Sequence, residues 1–425
     1  MTGSGGLIIA APTSGSGKTT VTLGLLRALR RAGHEIRSAK SGPDYIDPAF
    51  HAAASGKACV NLDAWAMTAE RIKTLAAGSA DLIVEGAMGL FDGAPPVGKG
   101  SAADLAKVLG LPVVLVVNAA SMSHSVAALV HGFANYDPAL TIGGVILNNV
   151  GSERHADMLR TALKPSGIPV IGAIPKSASL ARPSRHLGLV QAGETPDLEG
   201  FINTAADIVE RHVDLAQLRA MLTPIKINGG VFKPPYIKAK TMAIAYDAAF
   251  SFVYPHQIAD WKAADVTLKW FSPLANDPVP EAESIFLPGG YPELYAATIS
   301  QNSTFIDSLK VASQYSDIYG ECGGYMTLGE TLIDADGIAH PMVGLLGLTT
   351  SFAQRKLHLG YRVLNGVDPS KPDNYLAHEF HYATTLSAEG KPLFNAKDAL
   401  GNDLGAMGLV EGRVAGSFAH IIDMN

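Results

Sequence analysis

Two short runs of this 425-residue sequence combine residue types that could do covalent chemistry. The first is "PTSGSGKTT", Pro12 to Thr20. A strict phosphate loop reads G-x-x-x-x-G-K-[ST]. Counting back from Gly17, its first glycine should stand where Pro12 stands. The end that carries the chemistry is intact. Gly15 and Gly17 keep the turn clear of side chains, so the backbone N–H groups of Ser14, Ser16, Gly17 and Thr20 can face phosphate oxygens. Lys18 would reach the β- and γ-phosphates, and the Thr19 hydroxyl would hold Mg²⁺. The second run, "YGECGGYM", places Cys322 between Gly320 and Gly324, the G-x-C-x-G spacing of a nucleophile elbow with Cys in place of Ser. Flanking glycines permit the sharp turn that presents the thiol. A helix starting just after it favours the thiolate and offers N–H groups to an oxyanion. Gly289-Gly290 in "LPGGYPEL" offers further donors. A thiol nucleophile needs a base, and "AGSFAHIID" supplies His420.

Carboxylates cluster around the first run. In "ADLIVEGAMGLFDG", Glu85 follows an apolar strand, at the carboxyl edge where open α/β sheets bind ligands. "AKSGPDYIDPAFH" puts Asp44 and Asp47 between Pro43 and Pro48. Two stiffened carboxylates beside a phosphate site suit metal ligation or substrate orientation, and a solvated Asp turn is the plain alternative. "AHEFHYA" brings His378 and His381, but not in a zinc-protease spelling. They read as structural or substrate-proximal.

Elements must position these groups. "GLIIAAP", "HEIRSAK", "ADLIVEGA", "LPVVLVVNA", "GGVILNNV" and "IPVIGAIP" read as strands, with helices such as Thr19–Ala32 and Ser101–Leu109 between them. Such alternation predicts a parallel sheet covered on both faces. One helix, "ADIVERHVDLAQLRAML", closes this half. "TPIKINGGVFKPPYIKAK" reads as a linker. A second alternation, "TMAIAYD", "ESIFLPGG", "SDIYGECGG" and "MVGLLGLTT", predicts a second α/β domain. The division is a synthetase-type domain over 1–225, a linker over 226–239 and a second domain over 240–425.

Composition narrows the class. Apolar residues make up 47% and charged residues 17%, enough for a large core. The net charge of −6 and the lack of a basic run argue against nucleic acid. No apolar stretch reaches the ~20 residues that span a bilayer, and no basic segment precedes "LIIAAP" as in a secretory signal. Two distant cysteines, Cys59 and Cys322, suit a reducing cytoplasm. Homo-oligomerisation stays open.

With "TSGSGKTT" and "VEGAMGLFDG", the first half resembles the dethiobiotin-synthetase-like, ATP-dependent carboxylate-activating P-loop fold. With "LPGGYPEL", "GECGGYM" and "GSFAHIID", the second resembles a class I-type glutamine amidotransferase domain. Joined in this order, with "KSGPDYIDP" and "HEFHY", nearly all of the chain resembles the cobyrinic acid or hydrogenobyrinic acid a,c-diamide synthases of cobalamin biosynthesis. The resemblance implies an enzyme, a carbon–nitrogen ligase. Cys322, with His420 as base, would release ammonia from glutamine. ATP would phosphorylate a carboxylate of the corrinoid precursor, and ammonia would displace phosphate. Class I glutaminases usually carry Glu two residues after the histidine. Here Ile422 stands there, and the resembled family works as a Cys–His pair. The family pattern also implies Thr19, Asp47 and Glu85 as Mg²⁺ ligands, Asp44 and Asp92 as orienting groups, and Asn148 as an adenine reader. Arg182, Arg185 and His186 become partners for a polycarboxylate. Two alternatives remain. A cobyric acid synthase shares both domains but lacks the "GPDYIDP" loop in this form. A partition-type ATPase switch expects a lysine near Thr13 and has no glutaminase half.

Overall fold

The computed structural model describes residues 4–180, 197–225, 239–367 and 374–424. The chain divides into two compact units, Met1–Phe232 and Lys233–Asn425. Most of the expected linker, and Arg182, Arg185 and His186, lie outside the described residues.

The first unit alternates strand and helix: β1 (Gly5–Ala10), α1 (Lys18–Arg31), β2 (Ile36–Ser41), α2 (Asp47–Ser55), β3 (Val60–Leu62), α3 (Ala69–Ala76), β4 (Asp81–Glu85), α4 (Ala102–Leu109), β5 (Val113–Asn118), α5 (Ser125–Asn135), β6 (Ile142–Val150), α6 (Glu153–Leu163), β7 (Val170–Pro175), α7 (Leu198–His212), α8 (Leu215–Ala220) and β8 (Thr223–Pro224). Strands order as β3-β2-β4-β1-β5-β6-β7 and pair in parallel, with short β8 antiparallel to β1. Continuous burial along β1, and along β5 up to Val117, is what a parallel sheet covered on both faces requires. Ser101 and Ser152 cap α4 and α6 by accepting the N–H three residues on. The one closing helix expected from the sequence is two. Val213 turns to extended backbone, and Asp214 caps α8 through the Gln217 N–H. An aspartate that can satisfy a fresh N-terminus breaks an otherwise continuous apolar period.

The second unit contains β9 (Thr241–Ala245), α9 (Pro255–Ala263), β10 (Thr267–Phe271), β11 (Ser284–Leu287), α10 (Ala296–Gln301), α11 (Ser303–Ala312), β12 (Asp317–Glu321) and α12 (Gly323–Leu328). It continues with β13 (Thr331–Ile333), β14 (Ala339–Pro341), β15 (Gly347–Ser351), β16 (His358–Gly366), β17 (Asn374–His381), β18 (Thr384–Glu389), β19 (Lys391–Asp398), β20 (Asp403–Glu411), β21 (Val414–Ser417) and β22 (Ala419–Met424). Its main sheet orders β10-β9-β11-β12-β21-β20-β19-β16-β17-β22. Within that sheet, among the described residues, the parallel pairings run through β10, β9, β11, β12 and β21; in a separate sheet ordered β14-β13-β15-β18, β13 also pairs with β15 in parallel. The alternation expected to the end of the chain stops near α12, and mostly antiparallel strands follow. Polar, half-exposed segments such as "NYLAHEFH" need no helical cover on their outer face.

Candidate active sites

In the first unit, β1 runs straight into the glycine-bearing turn. Gly17 has φ +83° and caps α1. A β-carbon there would come within 2.1 Å of Asn148 Nδ2, so only glycine fits. Asn148, at the end of β6, donates Nδ2 to Ser16 O at 2.9 Å and ties the turn to the sheet. Ser14 and Gly15 are exposed, while Ser16 is buried. Lys18 is buried and donates to Met88 O at 3.2 Å, on the loop after β4. Burial pulls its ammonium below the ordinary lysine value, against the attraction of Glu85. A cavity of about 300 Å³ opens beside the turn, lined by Gly17, Thr20, Asn148, Asn149 and Pro175 among others.

The carboxylates gather at the start of α1. Thr19 Oγ1 donates to Glu85 Oε1 at 2.6 Å and lies 3.4 Å from Asp47 Oδ2. Asp47 opens α2, and Asp44 accepts the Ile46 and Asp47 N–H groups at 2.7 and 3.2 Å. Lys40, at the end of β2, meets Asp47 Oδ2 at 2.6 Å, Glu85 Oε1 at 2.8 Å and Asp44 Oδ2 at 3.9 Å. His51 Nε2 sits 2.6 Å from Glu85 Oε2, and its other nitrogen faces Cys59 Sγ at 3.6 Å. Burial resists the charge of Glu85, but Lys40 and His51 outweigh it and hold the carboxyl well below its usual range. Burial likewise resists charge on Lys40, and Glu85 and Asp47 raise it. Asp44 is lifted to about 6 by burial and by Asp47. Asp92 is exposed and accepts the Gly89 N–H at 2.9 Å, shaping the loop whose Met88 carbonyl takes Lys18.

Lys40 and His51 were not singled out by the sequence reading, although both fall inside "AKSGPDYIDPAFH". The signals are there in hindsight. His51 is one helical turn beyond Asp47, and Lys40 closes a strand at the edge where Glu85 ends its own.

In the second unit, Cys322 adopts φ +47°, ψ −101°, between β12 and α12. A non-glycine residue there carries strain of about 1–3 kcal/mol, which surrounding contacts must hold. The Cys322 N–H donates to Ser417 O at 2.8 Å, and Gly324 N–H donates to Pro288 O at 3.1 Å. A β-carbon on Gly324 would fall 1.9 Å from Leu287 O, which explains the last glycine of G-x-C-x-G. The His420 ring packs over Gly289, where the neighbouring Cys322 favours its charged form. His420 Nδ1 lies 3.6 Å from Glu321 Oε2, and Glu321 Oε1 accepts the Ile421 N–H at 3.0 Å. Burial opposes charge on His420, yet Cys322 and Glu321 raise it to about 10. His378, its register partner on β17, is lowered to about 3 by burial and by the charges of His420 and Arg362. Two facing imidazoles are thereby shifted in opposite directions.

Behind them, Arg362 Nε and His381 Nε2 meet the two oxygens of Glu379 at 2.7 and 2.9 Å. His381 stacks between His358 and Phe418, with ring centroids at 4.6 and 3.9 Å. His358, Glu379 and His381 are close enough together for a metal cluster. The His358 and His381 rings are parallel within 7°, so their in-plane lone pairs do not converge on one ion.

Comparison with known proteins follows this division. Residues 7–190 match the CobQ/CobB/MinD/ParA nucleotide binding domain, and residues 241–425 match the CobB/CobQ-like glutamine amidotransferase domain. The hydrogenobyrinate a,c-diamide synthase of Brucella anthropi is 53% identical over 430 residues, covering 98% of both chains. That of Rhizobium meliloti is 52% identical and covers 99% of each. That of Rhodobacter capsulatus is 48% identical and covers 98% of each. Both expected halves are therefore present, in the expected order.

Proposed function

The chain belongs to the hydrogenobyrinate a,c-diamide synthase family, and from that membership we propose that it amidates the a and c carboxylates of hydrogenobyrinate, using ATP and the amide nitrogen of glutamine. The observation that carries this is the presence of two unlike centres on one chain: a phosphate turn with gathered carboxylates, and a strained cysteine beside a buried histidine.

In the glutaminase half, the Cys322 thiol gives its proton to His420, and the thiolate attacks the side-chain amide carbon of glutamine. The backbone N–H groups of Gly290 and Gly323 are our candidate oxyanion donors. His420 returns the proton to the leaving nitrogen, and ammonia departs. Water then cleaves the thioester, releasing glutamate and restoring the thiol.

In the synthetase half, the turn from Ser14 to Thr20 holds the phosphates of ATP, with Lys18 on the β- and γ-phosphates. We assign the 300 Å³ cavity to the base. Asn148 gives an amide hydrogen to Ser16 O, and its carboxamide oxygen is the candidate acceptor for the adenine amino group. A substrate carboxylate attacks the γ-phosphorus and ADP leaves. The acyl phosphate makes a poor electrophile into a good one, and ammonia displaces phosphate to give the amide. Asp44 and Asp92 orient the substrate. A hydroxyl and two carboxylates, Thr19, Asp47 and Glu85, form an all-oxygen set that suits Mg²⁺. Bound there, Mg²⁺ would neutralise charge on the β- and γ-phosphates.

Both cysteines are free thiols, which favours a cytoplasmic setting. No described helix is long and apolar enough to cross a membrane.

The deciding assay offers hydrogenobyrinic acid, its cobalt-bearing counterpart cobyrinic acid, and cobyric-pathway acids to the enzyme with ATP, Mg²⁺ and glutamine. The expected product is the diamide of the cobalt-free ring, read by mass spectrometry. Amidation of four carboxylates, or ATP hydrolysis with no amide formed, would reject the reading.

A further inference from the structure

We propose that Glu321 is the positioning carboxylate of the glutaminase half, holding the His420 imidazole against Cys322 from the residue next to the nucleophile. The proposal rests on reading Cys322 and His420 as the glutaminase pair.

A base that takes a thiol proton and returns it to nitrogen must keep one ring orientation through both transfers. A carboxylate facing the second ring nitrogen does this, and it favours the imidazolium formed between the transfers. The position two residues after the histidine, where such enzymes usually carry it, is Ile422, a buried apolar residue whose carbonyl accepts from His256 at 2.8 Å. That strand supplies no carboxylate at the point where one is needed.

Among the described residues, His420 is faced from the elbow, from β17 and from an aromatic ring. From the elbow come Cys322 and Glu321. From β17 comes His378, kept neutral, with His381 and Glu379 farther along the same strand. Phe252 adds a tilted ring, 6.3 Å away between centroids. Glu379 already has both oxygens engaged, by Arg362 and His381. Glu321 is the carboxylate that meets Nδ1, at 3.6 Å.

Its geometry fits. Oε1 accepts the N–H of Ile421, the residue after His420, so the carboxylate is clamped to the backbone that carries the ring. Oε2 waits 3.6 Å from Nδ1, longer than a hydrogen bond but within ion-pair range. The side chains are 2% and 3% exposed, so water does little to screen the pair. Catalytic hydrogen bonds are often long before substrate binds, and a movement of under about 1 Å would close this one as the imidazolium forms. Burying a carboxyl group whose only task is to accept one N–H is unfavourable. The His420 ring facing it at 3.6 Å supplies the second task, and the raised affinity of that ring for its proton agrees.

The test is Glu321→Gln in the full chain, because glutamine keeps the acceptor for Ile421 and removes only the charge. Two quantities are read: glutaminase kcat and KM across pH, and the pH at which iodoacetamide half-modifies Cys322. We expect kcat to fall about tenfold or more with KM within about threefold. The alkylation midpoint should move upward, since a less stable imidazolium supports less thiolate. In a His420→Asn background the same change should add no further loss. Should circular dichroism show Glu321→Gln unfolded, Glu321→Asp carries the test with the same readouts, its shorter arm unable to reach both partners. Wild-type kcat and an unmoved midpoint, or a change confined to KM, would overturn the proposal. Wild-type enzyme that releases no ammonia from glutamine would instead overturn the parent reading.

Discussion

Lys40 Nζ lies 2.8 Å from Glu85 Oε1, and the two residues are register partners on neighbouring parallel strands. A cation is thus held at the carboxyl edge of the sheet, among the oxygens assigned to Mg²⁺. It holds the Glu85 carboxyl well below its usual range and ties Asp47 to the same ammonium at 2.6 Å.

Lys40→Met keeps most of the stem and removes the charge. Breaking a buried pair by deleting one partner costs about 3–5 kcal/mol. We expect a loss of that order in urea unfolding, and ammonia-dependent amidation lowered by about 10² or more. Unchanged stability and rate would make Lys40 a bystander.

The two half-reactions should separate. Cys322→Ala should abolish amidation from glutamine and retain it with free ammonia. EDTA should do the reverse, stopping amidation while Cys322-dependent glutamine hydrolysis continues. Loss of ammonia-dependent activity in a folded Cys322→Ala variant, or equal loss of both activities in EDTA, would contradict the division of labour.

Asp44→Asn and Asp47→Asn distinguish a turn from a reacting centre. Asparagine fills Asp turn positions well, so a purely structural loop would tolerate either change. We expect diamide formation to fall at least about tenfold, since one lost electrostatic contact at a reacting centre costs about 10²–10³. Circular dichroism should be unchanged and glutaminase activity kept. Wild-type rates in both variants would remove the loop from the site.

His51 sets a pH dependence. Burial opposes its charge, and Cys59 and Glu85 outweigh it, so the imidazole is raised from its ordinary 6.5 to about 10. A raised base contributes stability that is complete below 6.5 and is lost as pH climbs through about 10. His51→Gln should therefore be less stable than wild type at pH 6, with the gap closing towards pH 10 in urea midpoints. A gap independent of pH would mean that His51 is neutral in the folded chain.

What could be read beforehand depended on distance along the chain. The phosphate turn and the cysteine elbow are spelled by consecutive residues, because glycine is demanded wherever backbone or side-chain atoms crowd the α-carbon, as at Gly17 and Gly324. The approach of Thr19 to Glu85 followed from the general rule for sheet edges. Lys40 and His51 escaped because a lysine ending a strand and a histidine within a helix carry no local mark of a buried partner. Their roles arise only when β2 registers beside β4 and α2 packs under Glu85. The break at Val213 was hidden by an apolar period that runs through it. The antiparallel strands after α12 were hidden by short apolar runs that suit either kind of sheet.

The elbow that presents Cys322 is held by main-chain atoms: the carbonyls of Leu287, Pro288 and Ser417 crowd or bond its backbone. Main chain does not change when side chains are exchanged, so the sulfur acts as a fixed datum while its surroundings drift. Adapting this half to another nitrogen donor is therefore a task of reshaping what approaches the thiol. Alanine at Gly324 would shift the datum and leave the chemistry, whereas serine at Cys322 would leave the datum and alter the chemistry, so the pair separates placement from reactivity in a single assay.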